Sequence, residues 1–153
     1  MRARRLPRRR PAILAAGQAI PWLAAMLPLF LAVVGLAIDG GLVFNARRDL
    51  QNVADAAARA GAMQIDEAVY RLTEEVVLDG TRATLVAAEY LEDHGDGRTY
   101  RITVEPADTP RRVLVEVEDE IPTAFMRLAG IATVRIKAEA PAEARYGIEQ
   151  GDQ

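Results

Sequence analysis

The sequence predicts an α+β protein: a long N-terminal transmembrane helix continues into an extracytoplasmic helix, packed with a second helix on a small three-stranded, mainly antiparallel sheet. Three observations carry this prediction. The run from Ala12 to Ile38 holds one clearly polar side chain, Gln18. An Ala-rich segment with three- and four-residue periodicity follows it without a linker, and beyond residue 98 three runs alternate apolar and polar residues with a period of two.

The apolar run would form a helix roughly 40 Å long at ~1.5 Å per residue, more than the ~30 Å hydrocarbon core of a bilayer requires. It carries no charge, as a membrane interior demands. All six charges before Asp39 are arginines: Arg2, Arg4, Arg5, Arg8, Arg9 and Arg10. They place the N-terminus in the cytoplasm and the chain after Asp39 across the membrane. Trp22 suits the near interface, and Pro21 and Pro28 predict kinks. The length favours an uncleaved anchor over a secretory signal, whose apolar region is shorter.

From Gly41 the pattern is helical. Leu42, Asn45, Arg48 and Asp49 define one side, while Leu50, Val53, Ala54, Ala57, Gly61 and Ile65 recur along another. This predicts one helix running to Ala62 or Asp66, with Gly40–Gly41 as the place where it would loosen. The stretch 67–78 reads either as its continuation or as irregular chain. A second helix is predicted from Thr81 or Arg82 to His94, with Thr81 as N-cap, Gly95 as stop, and Ala83, Val86, Ala87, Tyr90 and Leu91 as its apolar stripe.

Strands are predicted around Tyr100–Val104, Val113–Val117 and Val134–Ala138, the first two joined by a Pro-containing hairpin loop. Between the second and third, "IPTAFMRLAGI" reads as a short helix capped by Thr123 and stopped by Gly130, with Phe125, Leu128 and Ala129 inward. The chain thus divides into a basic arm (1–11), a transmembrane helix (12–38), an Ala-rich extension (39–66), a small α+β domain (67–147) and a tail (148–153). About eighty residues make a core that is marginal for independent stability, so a partner would help.

Composition excludes several functions. The 153 residues contain neither Cys nor Ser, which removes disulfides, Cys-ligated zinc and Ser or Cys nucleophiles. Without the six N-terminal arginines, 13 basic residues face 22 acidic ones, a balance unsuited to nucleic acid. "EDHGDG" lacks the spacing of a calcium loop; it reads as a helix end and a solvated turn. Asp39 has no companion base or acid and reads as the first water-exposed residue after the span. "GDGRT" lacks the Lys and spacing of a phosphate loop, and "EVEDEI" reads as the wet side of a strand. No cofactor, metal or small-molecule substrate is expected.

The span ending in "GLAID", followed by "RRDLQNVADAAARAGA", resembles the N-terminal segment of TadE/TadG-like proteins of bacterial Flp (tight-adherence) pilus systems. Asp39, Arg48, Leu50, Gln51, Ala54, Asp55, Ala56, Ala57, Ala60 and Ala62 carry the match. "IPTAFMRLAGIATVRIKAEAPAEA" is similar to the end of these domains, a Pro-Thr-x-Phe…Gly-Ile segment before an alternating Ala-rich strand. "GQAIPW" resembles the Gly-Gln start of TadE-like pseudopilins, which implies prepilin-peptidase processing between Gly17 and Gln18; Trp22 stands where those proteins usually carry Glu. The Asp-x-Ser-x-Ser metal site of larger TadG-like members is absent.

The resemblance implies a short, non-enzymatic, membrane-anchored pilus-assembly component of minor pseudopilin type. Its partners would be the membrane, other pilin-like or platform proteins, and further copies of itself. Ala54, Ala57 and Gly61 would permit close helix contact, with Leu50 beside them, while Asp39, Arg47, Arg48, Gln51 and Asp55 would set register by polar pairing. The same seam equally suits self-packing against the protein's own sheet. The alternative function is a membrane-tethered ligand-binding or sensor module that uses the sheet for recognition.

Overall fold

A computed structural model describes residues 19–145. Helix α1 runs unbroken over Ala19–Ala62, 44 residues and ~66 Å at ~1.5 Å per residue. Its apolar part, Ala19 to Ile38, spans ~30 Å by the same rise, the thickness of a hydrocarbon core. Pro28 lies within the helix. Gly40 and Gly41 do not loosen the helix, and a Cβ at either would meet open space.

Two sequence expectations about the following chain are refined. Residues beyond Ala62 neither extend α1 nor remain irregular: α2, Glu67–Thr73, is a separate short helix whose first amides are accepted by the Asp66 carboxylate. An isolated bridge between Ile65 and Leu78 closes the excursion. Helix α3 covers Gly80–His94, and its N-cap is Asp79, which accepts from Arg82 N–H, not Thr81. Asp79 supplies a carboxylate where the first-turn amides need an acceptor, leaving Thr81 exposed two residues on. Gly95 ends the helix as expected, its N–H donating to Leu91 C=O.

Strands β1 (Thr99–Glu105), β2 (Arg112–Pro122) and β3 (Thr133–Glu143) form an antiparallel meander in the order β1-β2-β3. The register pairs Val113, Val115 and Val117 with Ala142, Ala140 and Ala138, and with Val104, Ile102 and Tyr100. Alternation places the valines, Ile136, Ala138 and Ala140 on the buried face. The other face is a charged ladder. Arg101–Glu116 (3.4 Å), Arg112–Glu143 (2.7 Å), Arg135–Glu120 (2.7 Å) and Lys137–Glu118 pair across strands.

The core is thin, as the Ala content predicts. The second half of α1 lies along the sheet beside α3, and Leu50, Ala54, Ala57, Ala58, Ala83, Ala87 and Leu91 fill the space with the β2 valines. At Gly61 the approach is closest: a Cβ there would lie 2.9 Å from the Ala83 carbonyl oxygen and 3.4 Å from Val113 Cγ1. The Ala-rich extension is therefore the central helix of the domain, not a stalk beneath it.

The β2–β3 connection differs from its expected form. The short helix expected there is a 3-10 helix, Met126–Ala129, ended by Gly130 and with Phe125 at its N-cap position. Thr123 donates its hydroxyl back across the loop to the carbonyls of Ile131 and Ala132, closing the loop's neck and not capping its helix. Phe125, Leu128 and Ala129 are exposed, not inward. The sheet ends at Pro122 and Thr133, so the loop projects beyond the core and has no interior of its own to fill.

Candidate functional site

The stripe that packs α1 onto the domain continues well below the Ala-rich segment. Gly61, Ala57, Ala54, Leu50, Ala46, Val43, Asp39 and Gly35 follow one another at steps of three or four residues, and each is buried or half-buried. Asp39, expected in water, is 1% exposed. Its carboxylate accepts three consecutive backbone N–H groups: Ala124 (2.8 Å) and Phe125 (2.9 Å) and Met126 (2.6 Å). These are the free amides at the start of the 3-10 helix, which has no side-chain cap of its own. One turn earlier, Phe125 lies against Gly35, where a Cβ would meet the Phe Cγ at 2.6 Å. Only Gly leaves room for that ring.

Burial alone would push the Asp39 carboxyl up, but the backbone N–H groups of Met126, Ala124 and Phe125 outweigh it and hold the group below the ordinary aspartate range. A group depressed in the folded state contributes stability that is complete above its unfolded pKa and is lost as pH falls through the folded value. Amide signals of residues 124–126 should therefore stay unchanged from pH 8 to 5. They should titrate together only below about pH 4, the ordinary aspartate range, in an NMR titration of the full chain.

A second polar tie lies higher on α1. Arg98, just before β1, donates to Asp119 of β2 (2.9 Å) and Asp49 of α1 (3.0 Å), with its side chain 13% exposed. Burial pulls against its charge, but the two carboxylates raise its pKa on balance. Gln51 joins the same seam: its amide donates to the Glu139 carbonyl on β3 (3.0 Å) and to Asp55 (3.2 Å). Asp55 also lies 3.9 Å from Arg59.

The structure thus separates the candidate interface residues into two groups. Leu50, Ala54, Ala57 and Gly61 are buried in the protein's own core, Asp39 and Gln51 bind its own backbone, and Asp55 supports Gln51. Arg47 and Arg48 are exposed. Gly17 and Gln18 lie outside the described residues. The Asp39–loop contact was missed from sequence; extending the Leu50 stripe downwards by helical steps reaches Asp39 and Gly35 and marks both as lying on the buried side, without naming what they touch.

His94, the only histidine, stacks on Tyr90 at 4.4 Å between ring centroids. Among the described residues there is no group of three or more His, Asp or Glu side chains placed to hold a metal ion. A surface concavity of about 720 Å³ is lined in part by Glu105, Arg112 and Glu143, two of which pair with each other.

One helix among the described residues is long and apolar enough to cross a membrane, and only its upper half is covered by the domain. The match to a known family falls on this same element. Residues 17–64 match the TadE/G-like putative Flp pilus-assembly family. The Tad match begins just before α1 and ends just after it, so the family signal is carried by the long helix. No curated protein and no solved structure matches the chain. Within the Tad segment, Leu50, Ala54 and Ala57 are core positions, Gln51 secures the sheet edge, and the Asp of "GLAID" receives the loop "PTAF". The two stretches that resembled the family at opposite ends of the chain therefore meet at Asp39.

Proposed function

We propose that the chain is a minor pseudopilin-like structural component of a bacterial Flp/Tad pilus or a related secretion system, acting by helix packing and not by catalysis. In this reading it is a single-pass inner-membrane protein with a cytoplasmic N-terminus and its α+β domain outside. The observation that carries the reading is that the Tad match falls on a helix whose lower half presents an uncovered apolar surface. Trp22, Leu23, Phe30 and Leu36 are exposed there and Phe44 just above, whereas the Ala54–Gly61 seam is already used by the protein's own sheet. Partner helices would pack on the lower half, next to the exposed Arg47 and Arg48, while the clamped domain is carried at a fixed angle to the span.

Site-specific photocrosslinking tests this. A photoreactive phenylalanine at Leu36 or Phe44, in cells with a Flp-type apparatus, should give adducts with pilin-like or platform proteins. The same probe at Thr103, on the opposite face of the sheet, should not. Adducts from Thr103 alone would refute helix packing and favour recognition through the sheet.

A further inference from the structure

The β2–β3 connection carries apolar side chains that the protein does not cover. Leu128 is 86% exposed, Ile131 45% and Phe125 41%, and Arg127 stands exposed between them. Loop tips of soluble domains seldom gather such side chains without a function. The position of this one is fixed by the Asp39 hydrogen bonds and by the contact of Phe125 with Gly35. Gly35 lies four residues before Asp39, about 6 Å lower along the helix at ~1.5 Å per residue, and inside the uncharged run that ends at Ile38. A ring packed on Gly35 is therefore below the level at which the helix leaves the apolar region.

From this placement we infer that the loop 123–132 is a second membrane contact, inserted into the interfacial layer of the leaflet from which the helix emerges. This rests on the reading of α1 as a membrane span. Phospholipid, and not a protein, is the occupant, because the patch is continuous with Leu31, Val34 and Ile38, which are exposed around the Gly35 contact and, in a spanning helix, lie at the depth of the acyl chains, while the helices of the proposed partners are placed at Leu36 and Phe44. Phe125, Leu128 and Ile131 supply the inserted surface, and the Arg127 guanidinium supplies a cation at the level of the lipid phosphates. The span and the loop then hold the domain at two points, which fixes its tilt on the bilayer.

The chain has no cysteine, so single introduced cysteines can carry an environment-sensitive fluorophore in the full-length protein, reconstituted in phosphatidylcholine/phosphatidylglycerol vesicles. Probes at Val33, Leu128 and Thr103 are compared, with lipid-borne quenchers at shallow and deep positions and with aqueous iodide. The Val33 probe should be quenched by the deep label, which tests the span itself. The Leu128 probe should shift to the blue, lose intensity to the shallow label and resist iodide, while Thr103 responds to iodide alone. An Asp39→Ala variant should return the Leu128 probe to iodide. If Leu128 is as open to iodide as Thr103 while Val33 remains deep, the loop contact is wrong and the span stands. If Leu128 is shielded from iodide but untouched by either lipid label, a protein covers it and the inference fails. If Val33 is not lipid-quenched, both readings fail together.

Discussion

Gly61→Leu is expected to unfold the α+β domain or to lower its Tm by on the order of 10–20 °C, with Ala57→Phe acting in the same way one turn earlier. At Gly61 a single added carbon would already sit 2.9 Å from the Ala83 carbonyl oxygen, a backbone atom that cannot rotate aside, and 3.3 Å from Ala87 Cβ. Ala57 is fully buried in the same seam. Overpacking typically costs about 1–3 kcal/mol and occasionally more; here the obstacle is helix backbone, so the upper part of that range applies. A domain of this size holds only about 4–12 kcal/mol in total, and about 3 kcal/mol moves its midpoint by the amount stated. Circular dichroism of the detergent-solubilised chain reads the effect, with Phe44→Ala as the control that leaves the midpoint in place. Normal melting of Gly61→Leu would mean that α1 does not pack on α3 and the sheet as described.

Asp39→Ala is expected to free the β2–β3 connection while leaving the sheet intact. The carboxylate is the acceptor for three successive amides, and an Ala methyl replaces none of those bonds. Buried donors without acceptors are costly, so the loop leaves the helix and its amides reach water. The β2 valines and the Ala seam lie above this point and keep their contacts. Trypsin cleavage after Arg127 should accelerate on the order of tenfold or more, as expected when three charge-assisted hydrogen bonds no longer restrain local opening. Cleavage at the wild-type rate would show that Asp39 does not hold the loop.

Much of this organisation was legible in the sequence because it rests on periodicity. The uncharged run, the Ala-rich stripe and the three alternating runs specify one helix, its buried side and a sheet, and the structure follows them nearly to the residue. Three features were not legible, each for a physical reason. Caps depend on which of several nearby oxygens meets the first-turn amides, so Asp79 and Thr81 are hard to separate without coordinates. The small side chains of Ala54, Ala57 and Gly61 permit close approach by any neighbour, and nothing in their type distinguishes a partner's helix from α3 and β2. Asp39 pairs with residues more than eighty positions away, and its partners are backbone amides, which carry no sequence signal.

That last contact is also what ties the β2–β3 connection to the helix where the apolar run ends. Hydrogen exchange of the full chain in nanodiscs, comparing wild type with Asp39→Ala at pH 7, tests it directly. The amides of Ala124, Phe125 and Met126 should be protected in the wild type and lose that protection in the variant, on the order of tenfold or more, while Val113–Val117 exchange equally in both. Fast exchange at 124–126 in the wild type, or equal protection in the two proteins, would contradict the clamp.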